Sequence, residues 1–539
     1  HLVLAARRPE GGVGRAAAVN TLAAALAPAL VGVLLIPTIG GRWTLALIAL
    51  GYVALLPLVA GGGVGGLRRA HLLLPGLAVL LALVPIDLSL VRPPHGMRFM
   101  PGGVREGVMA TVAVAEDDRG DRVLKVNNQF NMGGTRFSFG DRRQGHIPML
   151  LHPDPRRVLL LGVGSGLTAG ATTLHGDPEV TAVELVPEVV GFLPAFDPAN
   201  RLADIDRVVV ADARRFVRAD EAAYDVIVAD LFHPARDGAG ALYTREHFAA
   251  IRDRLAEGGL FCQWLPLYQI DAPVLAMIVR SFRDVFPEAD AWLGTYNPQT
   301  PILGLIGRRG PAPAGLPWSL AGVDPAADGG WLDALAARRG RALAAELEQL
   351  ALTRPIDLVA CRIAGPPQLA ALAGDAPPNL DDRPRVIHAA PWYTYATSES
   401  GLRRTEELLA LPGREAFAAG GGMQPPEDAR QDRIARFMTA RDRFLQSRLR
   451  MAAGDVAGGF RLLVEATAAS DEFNTAASVA IAEAVQLARG TLVAGGAGGG
   501  GVQPADPAAA RAVLDELIAL RPDLLEARRT RAMLDAAMR

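Results

Sequence analysis

The sequence predicts an α/β protein whose central part is an open, mainly parallel sheet covered by helices. Apolar strand-like runs alternate with amphipathic segments from Arg157 onward, a glycine-rich turn follows the first run, and acidic residues stand at the ends of the next three. Such alternation is typical of sheets whose strands are connected through helices. The 539 residues are enough for three or four structural units.

Composition argues against several classes of protein. Only 21% of the residues are charged and the formal net charge is −2, so neither a disordered chain nor nucleic acid as a partner is expected. Lys125 is the one lysine, which argues against a Walker-type phosphate loop and a Schiff-base site. The two cysteines, Cys262 and Cys361, cannot build a disulfide framework or a cysteine-rich zinc site, and no metal is expected.

Residues 1–92 are predicted to be a membrane region with three transmembrane helices, and lipid is therefore an expected partner. Three apolar stretches, 16–39, 43–60 and 72–90, each approach the ~20 residues that a helix needs to cross a bilayer. Buried helices of a soluble protein are the alternative, but Arg42 is the only charged residue between Ala16 and Leu67. The chain begins with His1, which leaves open whether further spans precede it.

A domain covering residues 102–309 is predicted next. Two β-type runs, 108–115 and 122–126, flank a turn-rich segment and indicate a small β-hairpin subdomain. Seven further strand-like runs predict the main sheet: 157–161, 180–184, 207–210, 225–230, 260–264, 289–293 and 302–306. A proline-rich segment then indicates a boundary.

The rest of the chain is predicted to be α-helical, with an extension over 314–400 and a further region over 401–539. Helices ending near Ser470 and near Pro522 resemble two tetratricopeptide helices, and an ordinary helical tail fits equally well. Such a region would offer surfaces for a protein partner or for self-association.

The glycine-rich turn and the strand-end acids predict a ligand site at the carboxyl edge of the sheet. Because Leu167 stands where a dinucleotide fingerprint needs its third glycine, an S-adenosyl-type ligand is favoured. Glu184 is expected at the ribose, and Asp212 with the Ala213 backbone at the adenine. The expected contacts along the amino-acid or aminopropyl part of the ligand are Gly162, Gly164, Ser165 and Gly166.

Residues 102–307 resemble the spermidine synthase family, and more closely its bacterial members that are fused to transporter-like membrane spans. The motifs that carry the likeness are 158–166, 182–190, 212–216, 224–230, 242–248 and 258–264. The resemblance implies a seven-stranded Rossmann-like sheet of the methyltransferase type, and decarboxylated S-adenosylmethionine as co-substrate. It also implies Asp230 as the proton acceptor and Gln129 as a contact of the nucleoside. A multi-pass protein of the bacterial inner membrane, with a cytoplasmic soluble domain, is therefore expected.

The half of the site that would bind an amine departs from the family. Ser165 replaces the acid of the glycine loop, His233 replaces the second acid of an Asp-x-x-Asp-Pro segment, and Asp141 and Arg142 align with the last two residues of a Tyr-His-Glu element. A diamine carries two positive charges that need negative partners. We expect Asp230, His233 and Tyr268 to line this pocket, although His233 and Tyr268 are also explained as packed core residues.

These observations predict a membrane-anchored, spermidine-synthase-like transferase of polyamine biosynthesis that moves an aminopropyl group to a small amine. An S-adenosylmethionine-dependent methyltransferase on the same scaffold is one alternative. A non-catalytic membrane scaffold that binds an adenosyl ligand is another.

Overall fold

A computed structural model describes residues 12–59, 91–128, 130–236, 238–310, 330–394, 400–412 and 428–476, with isolated positions between 511 and 535. The chain divides into two compact units. The first contains His1–Phe137 and Val186–Ala199. The second contains Ser138–Leu185 and Asn200–Arg539.

The first unit begins with apolar helices: Gly12–Pro28, a π-helix over Ala29–Leu35, and Ile36–Val59. The backbone leaves helical geometry at Gly40 (φ 78°, ψ 159°), where the sequence predicts a turn between two spans. Within the described residues, Ala17–Tyr52 is the one helix long and apolar enough to cross a membrane, and its most apolar 18 residues have a mean hydropathy of 2.3. The third expected span, 72–90, lies outside the described residues, so three spans remain a prediction.

A four-stranded antiparallel sheet completes the first unit. Its strands, in order across the sheet, are β1 (Arg98–Glu106), β2 (Thr111–Glu116), β3 (Arg122–Val126) and β4 (Phe130–Gly134). The predicted hairpin is confirmed as β2 and β3, and one strand is added on each side of it. Val112, Val114 and Leu124 pack against Val189 and Phe192, the latter two from the helix Pro187–Phe192.

The second unit contains an eight-stranded sheet in the order β12-β10-β11-β9-β8-β5-β6-β7. β5 to β9 are parallel, and β11, β10 and β12 add to the edge in antiparallel fashion. The strand bounds are β5 (Arg157–Leu161), β6 (Glu179–Glu184), β7 (Arg207–Val210), β8 (Tyr224–Ala229), β9 (Leu255–Pro266), β10 (Asp290–Leu293), β11 (Ile302–Arg308) and β12 (Arg362–Ala364).

The prediction of seven strands is wrong by one. The eighth strand, β12, lies within 314–400, which the sequence predicts to be helical throughout. Three residues are too few to show a two-residue period, and β12 pairs with β10, which is distant in sequence. Neighbouring sequence therefore carries no signal for it.

Helices cover the sheet and continue beyond it. Those within the predicted 102–309 domain, besides Pro187–Phe192, are Ser138–Leu150, Leu167–Thr173, Ala213–Ala219, Arg245–Arg254 and Ala272–Arg283. The later ones are Trp331–Arg339, Arg341–Gln349, Pro355–Val359, Pro366–Ala373, Arg385–Thr394, Ser400–Leu409, Asp428–Ala452, Val456–Ala469 and Asp471–Ala476. Phe248, Phe261, Phe282 and Phe286 form the aromatic centre of the core, with Phe248 and Phe282 edge to face at 5.1 Å between ring centroids.

The first of the two predicted repeat helices is present as Val456–Ala469. It follows the helix Asp428–Ala452 after Gly454, and the Asp455 side chain caps it by accepting from the Gly458 N–H at 2.9 Å. Most of the other predicted repeat helix, 507–522, lies outside the described residues. The tetratricopeptide assignment therefore remains a prediction.

Candidate active site

The glycine loop connects β5 to the helix Leu167–Thr173. Gly162 continues the sheet by donating its N–H to the Val183 carbonyl at 2.8 Å. Its φ is +86°, in the left-handed region that L side chains rarely adopt. A Cβ at this position would lie 3.0 Å from Cε1 of Phe232 and 3.3 Å from Cβ of Asp230. Glycine is therefore needed here both for the backbone turn and for the close approach of the two side chains after β8.

Glu184 fastens the loop to the next strand. It is the last residue of β6, and it is only 4% exposed. Its Oε2 accepts hydrogen bonds from the N–H groups of Val163 at 3.0 Å and Gly164 at 3.3 Å. Glu184, the residue predicted to bind the ribose, thus lies at the carboxyl edge of the sheet, and one of its carboxylate oxygens orders the glycine loop.

Asp230 follows β8 and lies between the loop and the edge of the sheet. Its N–H donates to the Leu161 carbonyl at 2.9 Å, which holds it beside the end of β5. Burial raises the pKa of the carboxyl to about 6, a hydrogen bond from the Leu231 N–H opposes the rise, and the Glu184 charge adds to it. A carboxylate of this kind can accept a proton near neutral pH.

Asp212 and Ala213 lie at the end of β7, the edge strand beside β6. Asp212 is exposed and caps the helix Ala213–Ala219, since its Oδ1 accepts from the Arg215 N–H at 2.9 Å. Asp212 and Ala213, which are predicted to contact the adenine, therefore lie at the carboxyl edge of the sheet, where the helix begins.

Ser165 is buried in the loop, and its carbonyl accepts from Nδ2 of Asn200 at 3.0 Å. The loop is thereby attached to the segment that precedes β7. Gln129, the other expected nucleoside contact, lies outside the described residues.

His233 is buried just beyond Asp230. Its Nδ1 accepts from the Ala235 N–H at 3.2 Å, and burial lowers the pKa of the imidazole to about 4. The ring is therefore neutral at pH 7 and brings no charge to the site.

Tyr268 lies in the short 3₁₀ turn Leu267–Gln269 after β9. Burial raises the pKa of its hydroxyl to about 12, with further contributions from the Asp141 and Asp230 carboxylates. A second tyrosine, Tyr243, donates its hydroxyl to the Phe232 carbonyl at 2.5 Å and so supports the turn after Asp230. The carboxylates of Asp141 and Asp230 therefore both act on the Tyr268 hydroxyl.

The residues at this edge of the sheet lie in a region that matches a known domain. Residues 142–300, which include the loop, Glu184, Asp212, Asp230 and Tyr268, match the spermine/spermidine synthase domain. The chain contains a spermine/spermidine synthase domain. The match covers less than a third of the sequence. The described N-terminal helices and the C-terminal helical region lie outside it.

The relatives of the synthase domain are polyamine aminopropyltransferases. The protein of Thermotoga maritima is 32% identical over 160 residues, which are 28% of this chain and 52% of the relative. That of Pyrobaculum calidifontis is 32% identical over 194 residues, 33% of this chain and 66% of the relative. The chain spans about half the length of the Thermotoga protein and of the Desulforudis audaxviator one, which is 29% identical over 153 residues with 54% of it covered.

Solved structures with some likeness to the chain include a spermidine synthase in complex with the transition-state analogue AdoDATO. It is 25% identical, with 38% of this chain and 72% of that one covered and a TM-score of 0.35. The spermidine synthase of Thermotoga maritima is 23% identical, with 40% and 74% covered and the same TM-score of 0.35.

The structure brings Gly162, Glu184 and Asp230 of the synthase domain together through adjacent strands β5, β6 and β8. The sequence aligns Asp141 with the Tyr-His-Glu element of the family but does not predict its effect on Tyr268, which follows from its position in the first turn of the helix Ser138–Leu150. Tyr243 was not assigned to the site. Tyr243 acts through a backbone carbonyl and leaves no sequence signal. In the described part of the chain, no group of three or more His, Cys, Asp or Glu residues could hold a metal ion.

Proposed function

We propose that the synthase domain transfers an aminopropyl group from decarboxylated S-adenosylmethionine to an amine, with Asp230 as the general base. The observation that carries this proposal is the position of Asp230 after β8, against Gly162, together with the rise of its carboxyl pKa to about 6. The names of the relatives support the reaction class.

The reaction requires one proton acceptor and one nucleophile. A neutral amine attacks the carbon next to the sulfonium; the new C–N bond forms as the C–S bond breaks, and the electron pair of that bond goes to sulfur. The leaving group is a neutral thioether, and the proton lost by the amine goes to the Asp230 carboxylate. Holding both substrates side by side supplies much of the remaining rate acceleration.

The nucleoside half of the donor would lie along the carboxyl edge of β5, β6 and β7. We assign the glycine loop Gly162–Gly166 to the chain next to sulfur, Glu184 to the ribose, and Asp212 with Ala213 to the adenine. Glu184 supports this assignment because its hydrogen bonds to Val163 and Gly164 couple the ribose position to the loop.

The amine would bind between Asp230 and Tyr268. Negative charge on Asp230 and Asp141 acts on the Tyr268 hydroxyl, so a cationic amine finds favourable potential there. His233 is neutral at pH 7 and neither attracts nor repels it. This arrangement favours an amine with one strongly held ammonium group.

One observation favours a second candidate, an S-adenosylmethionine-dependent methyltransferase. Ser165 gives the glycine loop no negative charge to pair with the ammonium of an aminopropyl group. A neutral loop tolerates the α-carboxylate of ordinary S-adenosylmethionine better than an acidic one does.

The two candidates are separated by product analysis on the full chain. Decarboxylated or ordinary S-adenosylmethionine is supplied with putrescine, spermidine or no acceptor, and 5′-methylthioadenosine and methylated products are measured. The proposal expects 5′-methylthioadenosine from the decarboxylated donor only when an amine is added. Methylated amine from ordinary donor would replace it with the methyltransferase, and binding without turnover of either donor would favour a non-catalytic scaffold.

We also propose that the helix Ala17–Tyr52 attaches the protein to the bacterial inner membrane, with the synthase domain in the cytoplasm. Its length of 36 residues and the mean hydropathy of 2.3 over its most apolar 18 residues support this assignment, and none of that stretch is buried. The amine substrate and the lipid bilayer are then the expected partners. Contacts with other proteins through the C-terminal helices remain a prediction.

A further inference from the structure

A chain of hydrogen bonds, which we call the histidine chain, crosses the interior of the second unit from Arg339 to Glu346. Arg339 Nη1 lies 2.8 Å from Nδ1 of His175. Nε2 of His175 lies 2.8 Å from Nδ1 of His146, and Nε2 of His146 lies 3.1 Å from Oε1 of Glu346. Both imidazoles are buried, with exposures of 0% for His146 and 2% for His175.

The direction of the histidine chain follows from its two ends. A guanidinium can only donate, so Nδ1 of His175 accepts and its Nε2 carries the proton. That N–H donates to Nδ1 of His146, whose Nε2–H then donates to the Glu346 carboxylate. Both histidines are therefore neutral. Burial lowers the pKa of both imidazoles. Glu346 opposes this shift at His146 while Arg142 and Arg201 add to it, and at His175 the neighbouring His146 and Arg339 add to it.

A neutral His146 leaves the negative charge of Glu346 available to other groups. Glu346 Oε1 lies 3.8 Å from Nε of Arg142, and Oε2 lies 3.5 Å from Nη2 of Arg201. Burial opposes ionisation of Glu346, but the His146 hydrogen bond and the two arginine charges hold its carboxyl pKa below the usual value. One carboxylate thus connects two cations from distant parts of the sequence.

Both arginines are next to residues that bind the segment around the glycine loop. Arg142 follows Asp141, whose carbonyl accepts from Oγ1 of Thr168 at 3.1 Å. Arg201 follows Asn200, whose Nδ2 donates to the Ser165 carbonyl at 3.0 Å. Through Arg142 and Arg201, Glu346 is therefore connected both to the glycine loop and to the helix that follows it.

We propose that Glu346 is a positioning residue of the donor site, which holds Arg142 and Arg201 so that the glycine loop keeps its binding conformation. This inference rests on the proposed function. Glu346 belongs to the helix Arg341–Gln349, beyond the family match at 142–300. The region after the synthase domain thereby becomes part of its donor site.

The test compares Glu346→Gln with Glu348→Gln in the full chain. Glu348 lies on the same helix and is exposed, so it serves as the matched control. Glu346→Gln keeps an acceptor for His146 and removes the charge that holds the arginines. We expect a KM for the donor, and a Kd for 5′-methylthioadenosine, raised roughly three- to thirtyfold. We expect kcat to change little because Asp230 is untouched, and Glu348→Gln to match the wild type.

Arg201→Gln provides a second variant, since Arg201 is partly exposed and its loss leaves the histidine chain in place. It is expected to raise KM as well, and the double variant should be no worse than Glu346→Gln alone. Unchanged KM in both single variants, or a loss confined to kcat, would overturn the positioning role. A wild type that binds 5′-methylthioadenosine without turnover counts against the proposed reaction but leaves the Kd comparison decisive, whereas a wild type that neither binds nor turns over overturns both.

Discussion

The Glu184 carboxylate accepts a hydrogen bond from the Val163 backbone at 3.0 Å, so a side chain at the end of one strand orders the loop that follows its neighbour. A carboxylate expected only to meet a ribose therefore also shapes the surface on which the donor would lie. Loss of Glu184 should therefore affect both the ribose contact and the conformation of the glycine loop.

Replacing Glu184 with alanine should weaken binding of an adenosyl ligand by roughly 1–3 kcal/mol, because charge-assisted hydrogen bonds are lost and two loop N–H groups lose their acceptor. Calorimetry with 5′-methylthioadenosine on the full chain measures the change. Glu179→Ala is the control, since Glu179 begins the same strand and forms an exposed ion pair with Arg157. Equal affinities in the two variants would show that Glu184 does not bind the ribose.

Activity should fall as the pH is lowered through about 6, the value to which the pKa of Asp230 is raised. The carboxyl must be ionised to accept a proton, so the active form is present above this pH and lost below it. Asp230→Asn should abolish transfer at every pH while 5′-methylthioadenosine still binds. The measurement is kcat against pH, and full activity in Asp230→Asn would refute the base assignment.

Gly162→Ala should reduce activity strongly and destabilise the fold by about 1–2 kcal/mol, because the backbone at φ +86° disfavours an L side chain. The new methyl group would also press on Asp230 and Phe232. Gly330→Ala is the matched control, since its φ is +78° and no atom of the described residues lies within 4 Å of the added Cβ. Similar stability losses, with loss of activity confined to Gly162→Ala, would establish the crowding of Asp230. Equal activities would contradict it.

Restoring acids at the site, by Ser165→Asp together with His233→Asp, should improve the use of putrescine. The carboxylate added at position 165 would pair with the ammonium of the donor's aminopropyl chain and the one added at position 233 with an ammonium of putrescine, and a charge-assisted hydrogen bond contributes about 1.5–3 kcal/mol. The double substitution to asparagine supplies similar shapes without charge. Assays of kcat/KM for putrescine distinguish the pairs, and no advantage of aspartate over asparagine would show that charge is not what the pocket lacks.

The full chain should remain in the membrane pellet after carbonate extraction, since the helix Ala17–Tyr52 contains an apolar stretch of 18 residues with a mean hydropathy of 2.3. Extraction removes peripheral proteins and leaves integral ones. Removal of residues 1–92 provides the comparison and should release the protein. An intact chain found in the supernatant would reject the membrane assignment.

The parallel part of the sheet was predictable because its strands are short apolar runs bounded by turns. β5 and β7 have the predicted bounds, and β8 is shifted by one residue, so that Asp230 follows the strand. The glycine loop and the strand-end acids were placed at one edge for the same reason: parallel strands carry their ends to the same side.

Contacts between distant segments were not predictable. The hydrogen bonds of Glu184 to the loop depend on how closely β5 and β6 pack, and the sequence shows only that a carboxylate follows a strand. His146 and Glu346 are separated by 200 positions, and each alone is an unremarkable polar residue on a helix. The charge balance around the loop therefore emerges only in the folded chain.

The pairing of β12 with β10 also decides where the protein can be shortened. A fragment that stops at Arg309, the predicted end of the domain, would lose Arg362–Ala364 and leave the backbone N–H and C=O groups of β10 unpaired on an apolar strand that includes Ala291 and Trp292. Exposed strands of this kind recruit other chains and aggregate. A soluble fragment that contains the synthase domain should therefore extend past Ala364, and truncation between Arg309 and Arg362 should yield insoluble protein.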